Sequence, residues 1–136
     1  MKLFLLGAGL ALLFVILDLI WFQFAGAFFK SQVGSIARLT ENGAWDVWLA
    51  PAVLVYVLMA VGLMVFVLPH ATSLPHALAL GALFGLVGYG LYDLTNLATL
   101  SAWTLKFALV DMAWGTALCA CVSAVGYWAS RSPFFS

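Results

Sequence analysis

Four long apolar stretches constrain this chain more than any other feature. They cover residues 3–24, 47–68, 76–100 and 105–128, and each is long enough to cross a bilayer core as one α-helix. Backbone polar groups that face lipid must be satisfied within their own segment, and these stretches lack the alternation typical of barrel strands. We therefore predict an all-α polytopic membrane protein, a four-transmembrane-helix bundle forming a single membrane domain over residues 1–136.

The composition supports the same interpretation. Hydrophobic residues make up 66% of the chain and charged residues 7%, and the mean hydropathy is +1.16. So few charged side chains could not cover the surface of a soluble domain. The five basic residues balance the five acidic ones, so the charge offers no attraction for nucleic acid and we expect no such partner.

The N-terminal stretch has two interpretations. Lys2, the apolar run after it and the small residues at 25–27 resemble a secretory signal with a cleavage site. The run is long for a signal peptide, however, and it contains Asp18. We therefore predict that it is the first spanning helix.

The connections between the helices differ in length. The only substantial loop covers residues 30–46, where a short interfacial helix ending at Asn42-Gly43 is compatible with the composition. Pro69 and Pro75 break the helices on both sides of the second connection. The third connection, residues 101–104, is short enough to force helices three and four into an antiparallel hairpin.

The positive charges do not decide the orientation in the membrane. If the termini are inside, the cytoplasmic side carries Lys2 and Arg131; otherwise it carries Lys30, Arg38 and Lys106. Two charges against three decide nothing; we slightly favour cytoplasmic termini, and such a weak bias leaves open a homodimer of two oppositely oriented copies.

Three aspartates lie inside the apolar stretches. If side A holds both termini and side B is the opposite side, Asp18, Asp93 and Asp111 each lie six or seven residues from the side B end of their stretch. At 1.5 Å per residue, all three are about 9 to 10 Å inside that boundary. An acid within a membrane is costly, so it usually has a function or a partner.

Residues three and four apart share a helix face, and the face of helix three that holds Asp93 also holds Gly81 and Gly85. Glycines allow close helix approach in lipid, so this face should contact protein. We predict an inward polar pocket near side B. Its candidate ligand-binding residues are Asp18, Asp93, Asn96 and Asp111, with Tyr89, Tyr92, Thr95, Thr99, Trp21 and Trp114 as lining.

No Lys or Arg within the stretches is placed to neutralise these acids, unless Lys106 turns inward. At least one acid should then be protonated, or several should be held by Tyr, Asn, Thr or Trp donors. Such a cluster could bind a cation, relay protons or hold a polar head group. Alternatively, the same hydrogen bonds could only fix helix packing.

Other conspicuous residues indicate less. Trp21 and Trp114 each follow an acid by three residues, so an indole N–H partner role competes with packing. The remaining tryptophans suit an interfacial belt; they are Trp45, Trp48, Trp103 and Trp128. Cys119 and Cys121 point to different faces and cannot form a metal pair. We find no zinc signature, phosphate loop or nucleophile elbow, so no metal is predicted, and catalytic residues and cofactors stay unassigned.

Several segments together carry a resemblance. They are Leu-Asp-Leu-Ile-Trp at 17–21, the helix at 52–69, and the glycine-rich run at 81–99 with its Tyr-Asp-Leu-Thr-Asn motif, followed by Asp-x-x-Trp-Gly at 111–115. Over nearly its whole length the chain resembles a family of small predicted bacterial inner-membrane proteins whose function is unknown. The resemblance implies a multi-pass protein of the bacterial inner membrane and makes the aspartates motif residues. It implies no particular reaction.

Three functions are compatible with these features. The first is a module that binds or transports a polar, cationic or lipid-head-group ligand through the acids. The second is an enzyme, or an enzyme subunit, of membrane-lipid modification that uses an aspartate as general acid or base. The third is a structural or assembly subunit whose acids only hold helices together. The first is our main expectation, because the acids share one depth.

Overall fold

The computed structural model of the chain describes residues 1–134, and four helices account for most of them. Helix α1 spans Lys2–Val33, α2 spans Leu49–Gly62 and continues through a π-helical turn at Leu63–Val67, α3 spans Leu74–Thr99, and α4 spans Leu105–Ser130. All four are long and apolar enough to cross a membrane. The described residues form no β-strand, so the predicted all-α four-helix architecture is confirmed.

Local sequence signals explain where α3 and α4 begin. The Ser73 hydroxyl accepts a hydrogen bond from the His76 N–H at 3.3 Å, and Pro75 occupies the first turn, where a missing N–H breaks no helical bond. At the start of α4, the Thr104 hydroxyl accepts from the Phe107 N–H at 3.1 Å. Only a short turn separates the two helices, so they form the antiparallel hairpin that the sequence predicts.

Helix α1 is longer than predicted. It ends at Val33, whereas the sequence places its end at residue 24 and a loop at 30–46. The extension persists because Ala25, Phe29 and Val33 are buried on one face, where Phe29 packs edge-to-face against Phe107 with ring centroids 4.8 Å apart. Its 32 residues measure about 48 Å, which exceeds the roughly 30 Å of a hydrocarbon core.

The connection from α1 to α2 contains a tight turn, so the predicted interfacial helix is wrong. Leu39 pairs with Trp45 in an isolated antiparallel bridge, and the Thr40 N–H donates to the Ala44 carbonyl at 2.8 Å. Gly43 has a φ of 75°, a left-handed conformation that glycine adopts without steric cost and that a continuous helix excludes. The Lys30 ammonium also donates to the Gly43 carbonyl, which ties the turn to α1.

Helices α3 and α4 pack closely because α3 presents glycines to α4. A Cβ atom on Gly85 would lie 2.8 Å from the Cys119 Cβ, and one on Gly81 would lie 2.6 Å from the Cys119 carbonyl oxygen. The predicted small-residue face of α3 therefore contacts protein. Helix α1 packs against α2 and α4, whereas α2 contacts α3 mainly at the π-helical turn, where Phe84 packs over Gly62.

The main apolar core lies toward side A. Phe14, Leu63, Leu118 and Val122 are almost completely buried there, and they come from α1, the π-helical turn and α4. Most other large apolar side chains of the four helices are exposed, as expected for surfaces that face lipid. This half has a tight apolar interior, whereas the three buried aspartates lie in the half near side B.

Candidate functional site

The three intramembrane aspartates converge in the half of the bundle near side B. Asp18 on α1, Asp93 on α3 and Asp111 on α4 are 8%, 0% and 9% exposed. A cavity of about 540 Å³, here called the acidic cavity, lies beside them. Seven of the residues predicted for the pocket line it: Asp18, Trp21, Tyr89, Tyr92, Asn96, Asp111 and Trp114.

Asp18 has donors on both carboxylate oxygens. The Tyr56 hydroxyl donates to Oδ2 at 2.9 Å, and the Trp114 indole N–H donates to Oδ1 at 2.7 Å. These bonds connect α1 with α2 and α4. The Trp114 ring also stacks on Trp21, with centroids 4.6 Å apart and planes 5° from parallel. Trp114 is thus the indole partner of an acid, although the acid belongs to another helix.

Trp21 has a different role from Trp114. Its indole nitrogen is buried and has no hydrogen-bond partner among the described residues. The ring contributes the aromatic stack, so packing is the observed role of this residue. The unused N–H lies in a side chain that lines the acidic cavity.

Asp93 is the most deeply buried of the three acids. Its Oδ1 accepts from the Trp103 indole N–H at 3.2 Å, whereas its Oδ2 has no donor among the described residues. The prediction that Trp103 belongs to an interfacial belt is wrong, because this side chain is only 8% exposed. The turn after α3 folds back and places the indole against Asp93 and Tyr92, whose ring centroid is 5.5 Å away.

Asp93 and Asp111 are close enough for their carboxyl groups to hydrogen-bond. Two carboxylates in contact repel one another, and a single proton held between them replaces the repulsion with a hydrogen bond. That proton would also give Asp93 a second donor. Asp111 faces the acidic cavity, whereas Asp93 lies behind it.

The remaining predicted residues of α3 divide between two faces. Tyr89, Tyr92 and Asn96 line the acidic cavity. Thr95 and Thr99 are exposed and lie outside the cavity, where the Thr99 hydroxyl donates to the Thr95 carbonyl at 2.8 Å. Thr95 follows Asp93 by two residues, which turns its side chain to the opposite face of the helix.

Sequence reasoning missed two donors and the cavity mouth. Tyr56 lies seven residues after the start of α2, about 10 Å along the helix, so its position in the sequence already places it at the level of the acids. For Trp103, which lies in the turn after α3, residue spacing gives no indication of its partner. At the mouth, Arg38 and Asp46 form an exposed ion pair with a nitrogen–oxygen distance of 3.8 Å. Lys106 does not turn toward the acids, since its ammonium lies 5.4 Å from the Phe28 ring centroid.

A second cavity, of about 600 Å³, lies between α2 and α3 and is here called the apolar cavity. Its walls include Val55, Leu58, Met59, Phe84 and Gly88. It also shares three lining residues with the acidic cavity, which are Tyr89, Tyr92 and Asp111. Asp111 therefore faces a polar space on one side and an apolar space on the other.

Metal binding gains no support from the geometry. Within residues 1–134, no three His, Cys, Asp or Glu side chains are grouped so that they could hold a metal ion. What the acidic cavity offers chemically is carboxyl groups, tyrosine hydroxyls and aromatic faces. These groups suit an organic cation or a polar head group.

Comparison with known proteins identifies the family. No curated protein and no solved structure matches the chain. Residues 3–128, which include all four helices apart from their outermost residues, match the sequence profile of a family described as "Predicted membrane protein (DUF2177)". That description specifies a membrane protein and no activity, and the four spanning helices agree with it. The chain therefore belongs to this family of predicted multi-pass membrane proteins.

Proposed function

We propose that this protein binds the cationic or polar head group of a ligand in the acidic cavity, as a component of the bacterial inner membrane. The observation that carries the proposal is the unequal hydrogen bonding of the acids. Both oxygens of Asp18 have donors, whereas Asp111, which faces the cavity, has no described side chain as a hydrogen-bond donor apart from its Asp93 neighbour. Buried polar groups in proteins are nearly always paired, so the Asp111 carboxyl has bonding capacity left for a ligand.

The charges around the cavity favour a cation. No Lys or Arg from the four described helices lines it, and Arg38 at its mouth is paired with Asp46. Asp18 and Asp111 both face the interior. A cation that entered would meet carboxylates in a region of low dielectric constant, where charge–charge attraction is much stronger than in water.

The aromatic walls favour an organic ammonium group over a bare inorganic ion. Trp21, Trp114, Tyr89, Tyr92 and Trp103 all line the acidic cavity. Aromatic faces attract quaternary ammonium groups through their ring quadrupole, and this attraction strengthens when the site is desolvated. Carboxylates surrounded by such rings are a common arrangement for recognising ammonium head groups.

A purely structural role is the second candidate, and Asp18 favours it. Its bonds to Tyr56 and Trp114 join three helices, so this acid has a packing function whether or not a ligand binds. The two functions therefore concern different residues. Asp18 would hold the helices together, whereas Asp111, with Asp93 behind it, would meet the ligand.

Thermal unfolding in the presence of tetramethylammonium chloride tests the proposal. A ligand that binds only the folded protein raises Tm as its concentration increases. We expect such a rise for wild type relative to sodium chloride at equal ionic strength. The rise should disappear in Asp111→Asn, which loses the carboxylate that faces the cavity.

The control variant is Glu41→Gln, because Glu41 is an exposed carboxylate that does not line the acidic cavity. It should show the same rise in Tm as wild type. The proposal fails if tetramethylammonium does not raise the Tm of wild type. It also fails if Asp111→Asn responds as strongly as wild type.

A further inference from the structure

We infer that the ligand is a single-chain amphiphile whose head group occupies the acidic cavity and whose hydrocarbon chain lies in the apolar cavity between α2 and α3. The inference rests on the proposed function and specifies its ligand class. It is based on two chemically different cavities that share lining residues. Tyr89, Tyr92 and Asp111 belong to the walls of both.

The position of Asp111 links the two halves of such a molecule. A head group held at this carboxyl would have its attached chain at the inner end of the apolar cavity. The buried Asp93 carboxyl lies beside Asp111, on the side away from the acidic cavity. Asp111 thus presents the carboxyl at the polar end of the site, and the apolar cavity begins next to it.

The walls of the apolar cavity suit a hydrocarbon chain. Val55, Leu58, Met59 and Phe84 supply apolar surface, and Val55 and Leu58 are 51% and 61% exposed, so the space opens on the lipid side of the bundle. Gly88 adds depth, since a Cβ built on it would meet no atom within 4 Å. The cavity exists because α2 and α3 touch mainly at the π-helical turn.

The environment of the apolar cavity favours a lipid chain as its ligand. The cavity opens between two spanning helices, where its neighbours are hydrocarbon chains and neither water nor a soluble protein. A chain that moves from lipid into an apolar cavity gains little hydrophobic free energy. The head group must therefore supply most of the affinity, and the cavity selects by shape.

Photo-crosslinking in nanodiscs tests this inference. The probe is an alkyltrimethylammonium with a diazirine midway along its single chain, and the matched probe is an alcohol with the same chain and no charge. We expect the cationic probe to label the α2 and α3 residues of the apolar cavity about tenfold more than the alcohol does, which corresponds to about 1.4 kcal/mol of selectivity. Labelling of Leu19, which faces lipid on α1, should be equal for both probes.

Two glycine variants form a matched pair. A Cβ on Gly88 or on Gly9 meets no atom within 4 Å, but only Gly88 lines the apolar cavity. Leucine is also a better helix former than glycine, so neither Gly88→Leu nor Gly9→Leu should harm its helix. We expect Gly88→Leu to abolish the excess labelling and to leave the rise in Tm with tetramethylammonium unchanged. Gly9→Leu should alter neither measurement.

The two proposals fail in different ways. If tetramethylammonium does not raise the Tm of wild type, the head-group site itself is wrong and this inference falls with it. If Tm rises but both probes label the apolar cavity equally, or Gly88→Leu keeps the excess labelling, the chain site is wrong and the proposed function stands. Excess labelling spread evenly over the lipid-facing residues would also overturn the chain site.

Discussion

The half of the bundle near side A and the half near side B bury opposite kinds of side chain. Toward side A, Phe14, Leu63, Leu118 and Val122 form an apolar core, with the Ser123 hydroxyl as a buried polar exception. Toward side B, the three aspartates adjoin two cavities. The half near side A has the packing expected of a region that determines the fold. The half near side B contains unfilled volume and hydrogen-bonding groups without partners among the described residues, as expected of a region that binds a ligand.

Phe14→Ala should have the largest effect on stability. The side chain is fully buried in the core near side A, and comparable truncations cost about 3 to 5 kcal/mol through lost packing and a residual cavity. Leu12→Ala is the matched control, since Leu12 is 59% exposed to lipid on the same helix. Unfolding in mixed detergent micelles measures both. Equal losses would mean that the half near side A does not carry the stability of the bundle.

Asp18→Leu should have an intermediate effect. Both oxygens that accept from Tyr56 and Trp114 are lost, and each hydrogen bond between membrane helices contributes about 1 kcal/mol. The same unfolding measurement applies. A double-mutant cycle with Tyr56→Phe should give non-additive losses, because both changes break one bond. Additive losses would show that the bond does not form in the bilayer.

Asp93→Asn should have the smallest effect on stability. The carboxyl groups of Asp93 and Asp111 are neighbours, and two adjacent carboxylates repel one another. An amide at position 93 removes that repulsion and can donate to Asp111, so the variant should be as stable as wild type, or more so. Thermal unfolding of both proteins is the measurement. A variant that is markedly less stable would make Asp93 a packing residue.

The helix number and the level of the acids were predictable because both depend on apolar length and residue spacing. The predicted depth of Asp18 assumes that its helix ends at residue 24, whereas α1 ends at Val33. The acids still meet, since the common level follows from where the apolar stretches begin and end. A helix can continue through polar residues beyond the bilayer without breaking. Composition alone therefore does not mark the residue at which the helix ends.

Contacts between distant segments could not be predicted in the same way. The burial of Trp103 depends on how the turn after α3 folds back, and the two cavities depend on the angle between α2 and α3. Both are tertiary properties with no local pattern. Tyr56 differs from Trp103, because its position along α2 does place it at the level of the acids.

The unequal lengths of α1 and α2 make bilayer thickness a variable for this protein. Helix α2 with its π-helical turn spans 19 residues, about 28 Å, and matches an average membrane, whereas α1 exceeds it by far. A change in lipid acyl length would therefore alter the tilt of α1 more than that of α2. Because Asp18 on α1 is hydrogen-bonded to Tyr56 on α2, such differential tilting would act directly on a wall of the acidic cavity.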